Sequence, residues 1–550
     1  MAAFDAFNRR SFLQTGGLTL IGAPGLLRGA APSLLRGAAL DRPMVETDDG
    51  RLLGIHDRGV KVFRGIPYAG SVSGPDRRFR SPVPPPTWSG IRDASAFGAP
   101  SLQPAGQPIG PGRPAPAEDC LFLNVWTPAL DGKPRPVMVY QHGGGFVVGS
   151  GAAPWQDAAR LAAENDVVVV QSNHRLGIMG YLYLGRLLGE DYPGNQGLMD
   201  LVMVLRWVGR NIAAFGGDPG NVTIFGESGG GGKTACLYAM PSAAAYFHKA
   251  SIESSIGPGH MDPDAASAVT REVMKRLGIS DAKTLLSLPA EALIKAQAGG
   301  DASAQPGTKL PGQPSGPPSL MFWPFIDGAI LPEEPFARSA PAISAHKPLI
   351  IGGCKDEAVF FNRLDPATFR LNEAGLIARV TAMAGPRAGE WIATFRASRP
   401  HASPSQLFMA IATAAPWRAH AIHIAEAKAR QHGAPAYAYI LDYRDPTPVE
   451  GTAYPQGSPH ASDIPMKFDT APEFGPRDPA RLKTAQNMSH MWAHFAHTGR
   501  PAAKGQPQWP AYTLKRRETM IIDAQCRVAR DPEGTERRFF MQQPDAEAIR

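Results

Sequence analysis

The clearest candidate for chemistry is a serine at the centre of residues 226–230, which read Gly-Glu-Ser-Gly-Gly. Apolar and β-branched residues at 222–225 precede it directly and predict a buried strand. Where a strand turns sharply into a helix at Gly-x-Ser-x-Gly, the serine hydroxyl is held exposed on a strained turn. The pattern therefore predicts that Ser228 is a nucleophile, and the alternative is an ordinary glycine-rich loop.

A second glycine-rich segment, His-Gly-Gly-Gly at residues 142–145, follows another predicted strand at 136–140. Attack on a carbonyl places negative charge on its oxygen, and glycines let backbone N–H groups approach that oxygen closely. We expect these donors to be the N–H groups of Gly144, Gly145 and Gly229. Alone, the segment would be a tight turn, but its pairing with the serine motif favours an oxyanion hole.

A serine nucleophile needs a base and an acid that orients the base, in the chain order Ser, Asp/Glu, His. The predicted strand at 349–351 leads to Asp356 and Glu357, and the predicted strand at 436–441 precedes a polar loop that contains His460. Both positions fit, because sites in α/β folds gather at the carboxyl ends of strands. On spacing alone, other residues remain open: Asp356, Asp442 and Asp463 as the acid, and His401, His490 and His497 as the base.

These residues must be positioned by short apolar strands that alternate with helical segments. Leucine, valine and isoleucine recur at spacings of three or four across residues 198–212 and predict a helix with one apolar face. The alternation predicts an α/β fold with a mostly parallel central sheet flanked by helices. Proline and glycine are frequent at residues 82–86, 100–116 and 305–318, which predicts long loop insertions.

Further motifs surround the site in a fixed order. They are FRGIPYA at 63–69, EDCLFLNVW at 118–126, NHRLG at 173–177, GNQGLMD at 194–200 and GGDPGNV at 216–222. Together with the serine motif, they resemble the type-B carboxylesterase and cholinesterase family from about Val45 to the carboxyl terminus. The resemblance implies a single catalytic domain of the α/β-hydrolase fold over residues 41–550, which hydrolyses carboxylic esters without a metal or cofactor.

The resemblance also implies roles that spacing leaves open. It makes Glu357 the acid and His460 the base, matching the family's Lys-Asp-Glu segment and its histidine. Glu227 matches the family's glutamate before the nucleophile, and Ser254 matches a serine that the family often has near its catalytic residues. For Ser254, the alternative is an ordinary serine at the end of a strand.

The sequence departs from the family at several positions. Ser101 stands where the family usually has a cysteine paired with Cys120, so we expect Cys120 to be a free, buried thiol. Gly229 and Ala358 replace the usual alanine and glycine, and Met466 stands where an aromatic residue is common. None of these changes removes a predicted catalytic group.

The first 40 residues predict export. The paired Arg9 and Arg10 precede a short, weakly apolar stretch at 15–27, which is typical of a twin-arginine signal and its linker. We therefore expect a periplasmic or secreted protein, and the alternative is a disordered basic terminus. No later run of 18 apolar residues predicts a membrane span.

Net charge and composition limit the partners. The net charge is +7, but residues 1–36 carry four arginines against one aspartate, and no basic run is interleaved with aromatic residues elsewhere. The sequence therefore does not predict a nucleic-acid partner.

We expect a small carboxylic ester as substrate. The alternatives are a non-catalytic binding module or an amide or thioester hydrolase that uses the same residues. Aromatic residues near the motifs could line an apolar pocket: Phe146, Trp155, Trp323, Phe325, Phe360 and Phe361.

Overall fold

The computed structural model describes residues 42–105, 109–110, 112–255, 260–297, 320 and 322–541. The predicted export signal and linker at residues 1–40 lie outside the described residues, and so does the predicted loop at 305–318. Within the described part of the chain, no helix combines the length and the apolar character needed to cross a bilayer.

The strands include every segment for which apolar runs predict one. Their bounds are β1 (Met44–Thr47), β2 (Gly50–Leu53), β3 (Ile55–Asp57), β4 (Val60–Pro67), β5 (Ile91–Asp93), β6 (Phe122–Thr127), β7 (Arg135–Gln141), β8 (Val168–Ser172), β9 (Gly217–Glu227), β10 (Lys249–Glu253), β11 (Leu349–Cys354), β12 (Ala436–Leu441), β13 (Asp445–Pro448), β14 (Pro455–Gly457), β15 (Glu518–Ile522) and β16 (Arg527–Arg530). Strand β9 begins earlier than its apolar run, because Gly217 pairs with Arg135 of β7.

Eleven of the described strands form one large sheet in the order β16-β15-β12-β11-β10-β9-β7-β8-β6-β4-β3, while β1, β2 and β5 form a small second sheet and β13 pairs with β14. From β15 to β8 in this order, each strand is parallel to the next. The pairs β16·β15, β8·β6, β6·β4 and β4·β3 are antiparallel. The central strands β7, β11 and β12 are buried along their whole length. This burial on both faces explains why they read as continuous apolar runs.

Helices cover both faces of the sheet, and the predicted α/β architecture is confirmed. Their bounds are α1 (Ala159–Asn165), α2 (Gly177–Tyr181), α3 (Gly185–Leu188), α4 (Gln196–Asn211), α5 (Gly229–Ala239), α6 (Pro241–Ala244), α7 (Pro263–Leu277), α8 (Thr284–Ser287), α9 (Ala290–Gln297), α10 (Glu357–Asn362), α11 (Glu373–Ala384), α12 (Ala388–Ser398), α13 (Pro404–Thr413), α14 (Ala419–Arg430), α15 (Asp463–Lys467), α16 (Pro479–Thr498) and α17 (Gly534–Met541). Helix α4 matches the prediction for residues 198–212, and its apolar residues are buried.

Two apolar cores lie on the two faces of the sheet. One core includes α4 and α5, and the other includes α1 and α16. A third apolar cluster is formed by residues from the consecutive helices α10 through α14 and from α17. Helix α5 forms although it begins with four glycines, and the close packing of its first turn explains their presence. A Cβ on Gly230 would lie 1.9 Å from the carbonyl oxygen of Gln141, so only glycine fits there.

Strand register brings the predicted site residues to one edge of the sheet. Gln141 at the end of β7 pairs with Gly226 in β9. Glu253 at the end of β10 pairs with both Glu227 in β9 and Gly352 in β11. Because these strands are parallel, their carboxyl ends meet, and the loops that follow them lie together.

Candidate active site

Ser228 lies on a strained turn between β9 and α5. Its φ is 59° and its ψ is −124°, a combination that costs free energy for a residue with a side chain. Two backbone hydrogen bonds hold the turn: the Ser228 N–H donates to the Glu253 carbonyl at 2.9 Å, and the Gly232 N–H donates to the Ser228 carbonyl at 3.1 Å. The strand–turn–helix that the sequence predicts is therefore present.

The glycine loop after β7 lies against this turn. A Cβ on Gly143 would lie 3.5 Å from the Cβ of Ser228. Gly144 and Gly145 have φ values of 89° and 62°, in the left-handed region that favours glycine. Within the described residues, no hydrogen-bond acceptor is found for the N–H groups of Gly144, Gly145 or Gly229. These donors are free to bind a ligand oxygen.

The structure brings Glu357 and His460 together. Nδ1 of His460 lies 2.6 Å from Oε2 of Glu357, and both side chains are buried. Glu357 is the first residue of α10, immediately after the turn that ends β11. A carboxylate at Nδ1 fixes the imidazole in the tautomer that leaves Nε2 free to accept a proton.

Two further donors fix the Glu357 carboxylate. Its Oε1 accepts hydrogen bonds from the Ser254 hydroxyl and from the Cys354 N–H, both at 2.7 Å. Ser254 follows β10 and has a φ of 47°, so the backbone turns there to aim its side chain. Ser254 therefore holds the carboxylate in place and does not simply end the strand.

The other carboxylates that spacing leaves open have different partners. The Asp356 carboxylate accepts from the Ser458 N–H at 2.9 Å, Asp442 pairs with Lys355 at 2.8 Å, and Asp463 pairs with Lys467 at 2.6 Å. Among the histidines left open, Nε2 of His497 contacts the Asn165 carbonyl, and burial lowers the pKa of His490. His401 is exposed. Among the described carboxylates, only Glu357 meets Nδ1 of a candidate histidine.

Glu227 contacts the other nitrogen of the same imidazole. Its Oε1 lies 3.2 Å from Nε2 of His460, and the exposed fractions of the two side chains are 2% and 5%. Burial raises the pKa of Glu227, because a charged carboxylate is poorly solvated there. Burial lowers the pKa of His460, but the adjacent Glu227 and Glu357 outweigh burial and raise it above its ordinary value.

A buried lysine that no sequence motif pointed to supports the glycine loop. Nζ of Lys233, in α5, donates to the His142 carbonyl at 3.0 Å, and the residue is fully buried. Burial lowers the pKa of Lys233 to about 7. The His142 ring stacks on His174 with 4.6 Å between centroids, and burial lowers the pKa of both histidines. The sequence signal that could have pointed to Lys233 is a lysine on the second turn of the helix that follows Gly-x-Ser-x-Gly.

Aromatic rings surround His460 on one side and the glycine loop on the other. The rings of Phe361, Trp417 and Phe360 lie 4.8, 5.7 and 5.8 Å from the imidazole. The Phe146 ring lies 5.5 Å from Trp323 and 5.4 Å from Tyr181. Trp417 was not predicted, because it lies 43 positions before His460 on a different element.

Two of the predicted pocket aromatics pack elsewhere. Phe325 is buried with its ring 4.7 Å from that of Tyr183, and Trp155 packs against the core that contains α16.

The cysteines at 120, 236, 354 and 526 are buried free thiols in the described structure. No group of three or more His, Cys, Asp or Glu side chains among the described residues could hold a metal ion.

Comparison with known proteins gives consistent matches over nearly the whole chain. The model of the carboxylesterase family matches residues 41–540. Para-nitrobenzyl esterase of Bacillus subtilis (strain 168) is 34% identical over 503 residues, which cover 90% of this chain and 97% of that protein. Phenmedipham hydrolase of Pseudarthrobacter oxydans is 33% identical over 512 residues, which cover 90% of this chain and 97% of that protein.

Solved structures agree with the sequence matches. The crystal structure of a carboxylesterase from Geobacillus stearothermophilus superposes with a TM-score of 0.77 at 38% sequence identity. The superposition covers 90% of this chain and 99% of that structure.

Proposed function

Since this chain belongs to the carboxylesterase family and is a serine carboxylesterase, we propose that it hydrolyses esters through an acyl-enzyme on Ser228. In this proposal His460 is the base and Glu357 orients it. The N–H groups of Gly144, Gly145 and Gly229 stabilise the oxyanion. Ser254 positions Glu357, and Glu227 contacts Nε2 of His460 itself.

The observation that carries the proposal is the 2.6 Å contact between Nδ1 of His460 and Oε2 of Glu357. Because Ser254 and the Cys354 N–H hold the same carboxylate, the imidazole orientation is fixed before substrate binds. Such preorganisation is what a positioned general base requires. The strained turn at Ser228 and the unpaired N–H groups of the glycine loop add the nucleophile and the oxyanion donors.

The reaction then proceeds in two transfers. Oγ of Ser228 bonds to the ester carbonyl carbon while its proton passes to Nε2 of His460. The tetrahedral intermediate collapses, the carbon–oxygen bond to the alcohol breaks, and the alcohol leaves with the proton from His460. Water attacks the acyl-enzyme with His460 again as base, which releases the acid and restores Ser228.

For the substrate, we propose small esters that carry an aromatic group. The rings of Phe360, Phe361 and Trp417 lie within 5.8 Å of the imidazole, where the leaving group or acyl group of an ester must lie. Flat apolar groups bind such rings favourably. The relative from Bacillus subtilis is named for a benzyl ester, which agrees with this preference.

The substrate proposal is tested with matched esters. Benzyl butyrate and cyclohexylmethyl butyrate differ in the planarity and electron distribution of one ring. We expect a higher kcat/KM for the benzyl ester, and we expect Trp417→Ala to reduce the ratio between the two. An equal kcat/KM for both esters in the wild type would contradict an aromatic preference.

The nucleophile is tested by covalent labelling. An alkyl p-nitrophenyl phosphonate should add one phosphonyl group to the folded protein, and peptide mass spectrometry should find it on Ser228. Ser228→Ala should take up no label, and His460→Gln should be labelled far more slowly. A label on another residue at the wild-type rate would contradict the assignment.

We also propose that the protein is exported to the periplasm or beyond by a twin-arginine signal. Support comes from Arg9 and Arg10 before an apolar stretch. Residues 1–45 fused to a folded reporter should direct it across the membrane of a twin-arginine-competent bacterium. The change of both arginines to lysine should retain the reporter in the cytoplasm, and unchanged export would contradict the proposal.

A further inference from the structure

A second histidine has the same kind of partner on Nδ1 as His460 does. Nδ1 of His260 lies 2.5 Å from Oε1 of Glu334, just as Nδ1 of His460 lies on Glu357. Nε2 of His260 lies 3.3 Å from the sulfur of Cys236. Because the carboxylate engages Nδ1, the lone pair of Nε2 faces the thiol. Cys236, His260 and Glu334 therefore line up as nucleophile, base and orienting acid.

The contacts of His260 strengthen its hold on a proton. Burial lowers the pKa of His260, but Cys236 and Glu334 outweigh burial and raise it to about 10. An imidazolium next to a sulfur stabilises the thiolate, which is the nucleophilic form of cysteine. Glu334 in turn stabilises the imidazolium.

The other three cysteines lack such a partner in the described structure. The Cys354 sulfur accepts from the Ser462 hydroxyl, and the Cys526 sulfur lies 3.3 Å from the Asp523 carbonyl. Burial raises the pKa of Cys120, Cys354 and Cys526, which keeps them as unreactive thiols. They are internal controls for Cys236 in the same molecule.

Two polar groups that interact electrostatically with this pair have no hydrogen-bond partner. Burial and then Cys236 raise the pKa of Tyr181, while burial, His423 and His260 lower the pKa of His420 to about 3. The Tyr181 hydroxyl and Nδ1 of His420 are both buried without a hydrogen-bond partner among the described residues.

The cluster reaches solvent at its acidic end. The side chains of Glu334 and His260 are 21% and 11% exposed, whereas Cys236 is fully buried. A reagent must therefore approach past the imidazole, and it must be small.

We propose that Cys236 is a modification site at which small peroxides oxidise the sulfur that contacts Nε2 of His260. The sulfur bonds to one oxygen of hydrogen peroxide and the O–O bond breaks. The departing hydroxide takes the imidazolium proton from His260 and leaves as water. Cys236 is oxidised to a sulfenic acid and the peroxide is reduced, so atoms and electrons balance.

The site is tested on the full folded chain. The protein is treated with hydrogen peroxide for increasing times, quenched with catalase, unfolded and alkylated with iodoacetamide. Peptide mass spectrometry then gives the fraction of each cysteine that has lost its free thiol. We expect Cys236 to be oxidised at least tenfold faster than Cys120, Cys354 or Cys526.

Variants distinguish activation of Cys236 by His260 from simple access of peroxide to the sulfur. His260→Gln should slow oxidation of Cys236 at least tenfold, and Glu334→Gln, at the exposed end of the cluster, should slow it by less. Esterase activity shows that His260→Gln and Glu334→Gln are folded. Ser228→Ala, whose folding is checked by its thermal unfolding transition, should oxidise at Cys236 as fast as the wild type. If His260→Gln fails to fold, the oxidation rate of Cys236 in Glu334→Gln decides whether the proposal holds. Equal rates at all four cysteines, or no slowing in a folded variant, would overturn the proposal.

Discussion

Oε1 of Glu227 lies 3.2 Å from Nε2 of His460, on the opposite edge of the ring from Glu357. The imidazole is thus held between two carboxyl groups in a site from which solvent is nearly excluded. This arrangement favours the imidazolium, which in the proposed mechanism develops when His460 takes the proton from Ser228. The two carboxyl groups also set the pH above which the His460 imidazole is neutral and can act as a base.

The first prediction concerns the acid limb of the pH profile. Burial lowers the pKa of His460, but Glu227 and Glu357 raise it to about 9. Because only the neutral imidazole accepts a proton, kcat/KM should rise with pH toward that value. Glu227→Gln removes a carboxylate that favours the imidazolium, so its acid limb should move to lower pH. The measurement is kcat/KM for p-nitrophenyl butyrate against pH.

The control for this profile is Glu450→Gln, which removes an exposed carboxylate. Its acid limb should coincide with that of the wild type. An unchanged limb, or one at higher pH, in Glu227→Gln would contradict the role given to Glu227.

Two alanine substitutions on α5 should differ sharply. A Cβ on Gly229 would lie 2.0 Å from the carbonyl oxygen of Gly145, so the glycine loop must move. A Cβ on Gly232 would lie 3.2 Å from the end of the Phe146 ring, which can shift. We expect Gly229→Ala to lower kcat about tenfold or more, because displaced N–H groups stabilise the oxyanion poorly, and Gly232→Ala to have a small effect.

Steady-state kinetics on one ester gives kcat and KM for both variants. The displaced loop should act mainly on kcat, since the oxyanion forms only in the transition state. Equal kcat values for the two variants would show that the approach of Gly145 to Gly229 is unimportant.

Lys233 should make stability depend on pH. Burial lowers its folded-state pKa to about 7, whereas an unfolded lysine has its ordinary value near 10.4. Between these values the unfolded chain binds more protons, so the contribution of Lys233 to stability rises with pH. The free energy of unfolding should therefore rise less from pH 7 to pH 9 in Lys233→Met than in the wild type.

Urea denaturation at the two pH values measures this difference. Lys483→Met, which changes an exposed lysine, should retain the wild-type slope. A wild-type slope in Lys233→Met would mean that Lys233 is charged in the folded protein across this range.

A buried ion network under the site should dominate local stability. Nζ of Lys467 lies 2.7 Å from Glu253 and 2.6 Å from Asp463, and all three side chains are fully buried. Lys467→Met leaves two carboxylates without a cation, which should cost about 3–5 kcal/mol in the free energy of unfolding. Chemical denaturation measures the loss, and the double variant with Glu253→Gln should lose less. Equal losses in the single and double variants would contradict the network.

The sequence predicted the local features of the site well. Ser228 and the glycine loop were found because a strand followed by glycines is a local pattern, and the observed backbone has the predicted turn. The acid was not decided by spacing, since Asp356 and Glu357 are neighbours and their side chains turn to different partners. The family resemblance selected Glu357, which is the carboxylate found at His460.

The features that were missed depend on contacts between distant segments. Trp417 reaches His460, and Lys467 reaches Glu253, only after the sheet is assembled. Phe325 was one of several aromatic residues that could line a pocket, and it packs on Tyr183, because an aromatic residue near a motif in sequence need not be near it in space. No periodicity or spacing rule encodes these pairings.

The role of Ser228 as nucleophile is best tested by comparing hydrolysis of p-nitrophenyl butyrate by Ser228→Ala and by the wild type. We expect kcat to fall at least about a thousandfold while the thermal unfolding transition is unchanged, because only the nucleophile is lost. A folded Ser228→Ala protein that retains more than about a tenth of the wild-type kcat, above the buffer rate, would contradict the acyl-enzyme on Ser228.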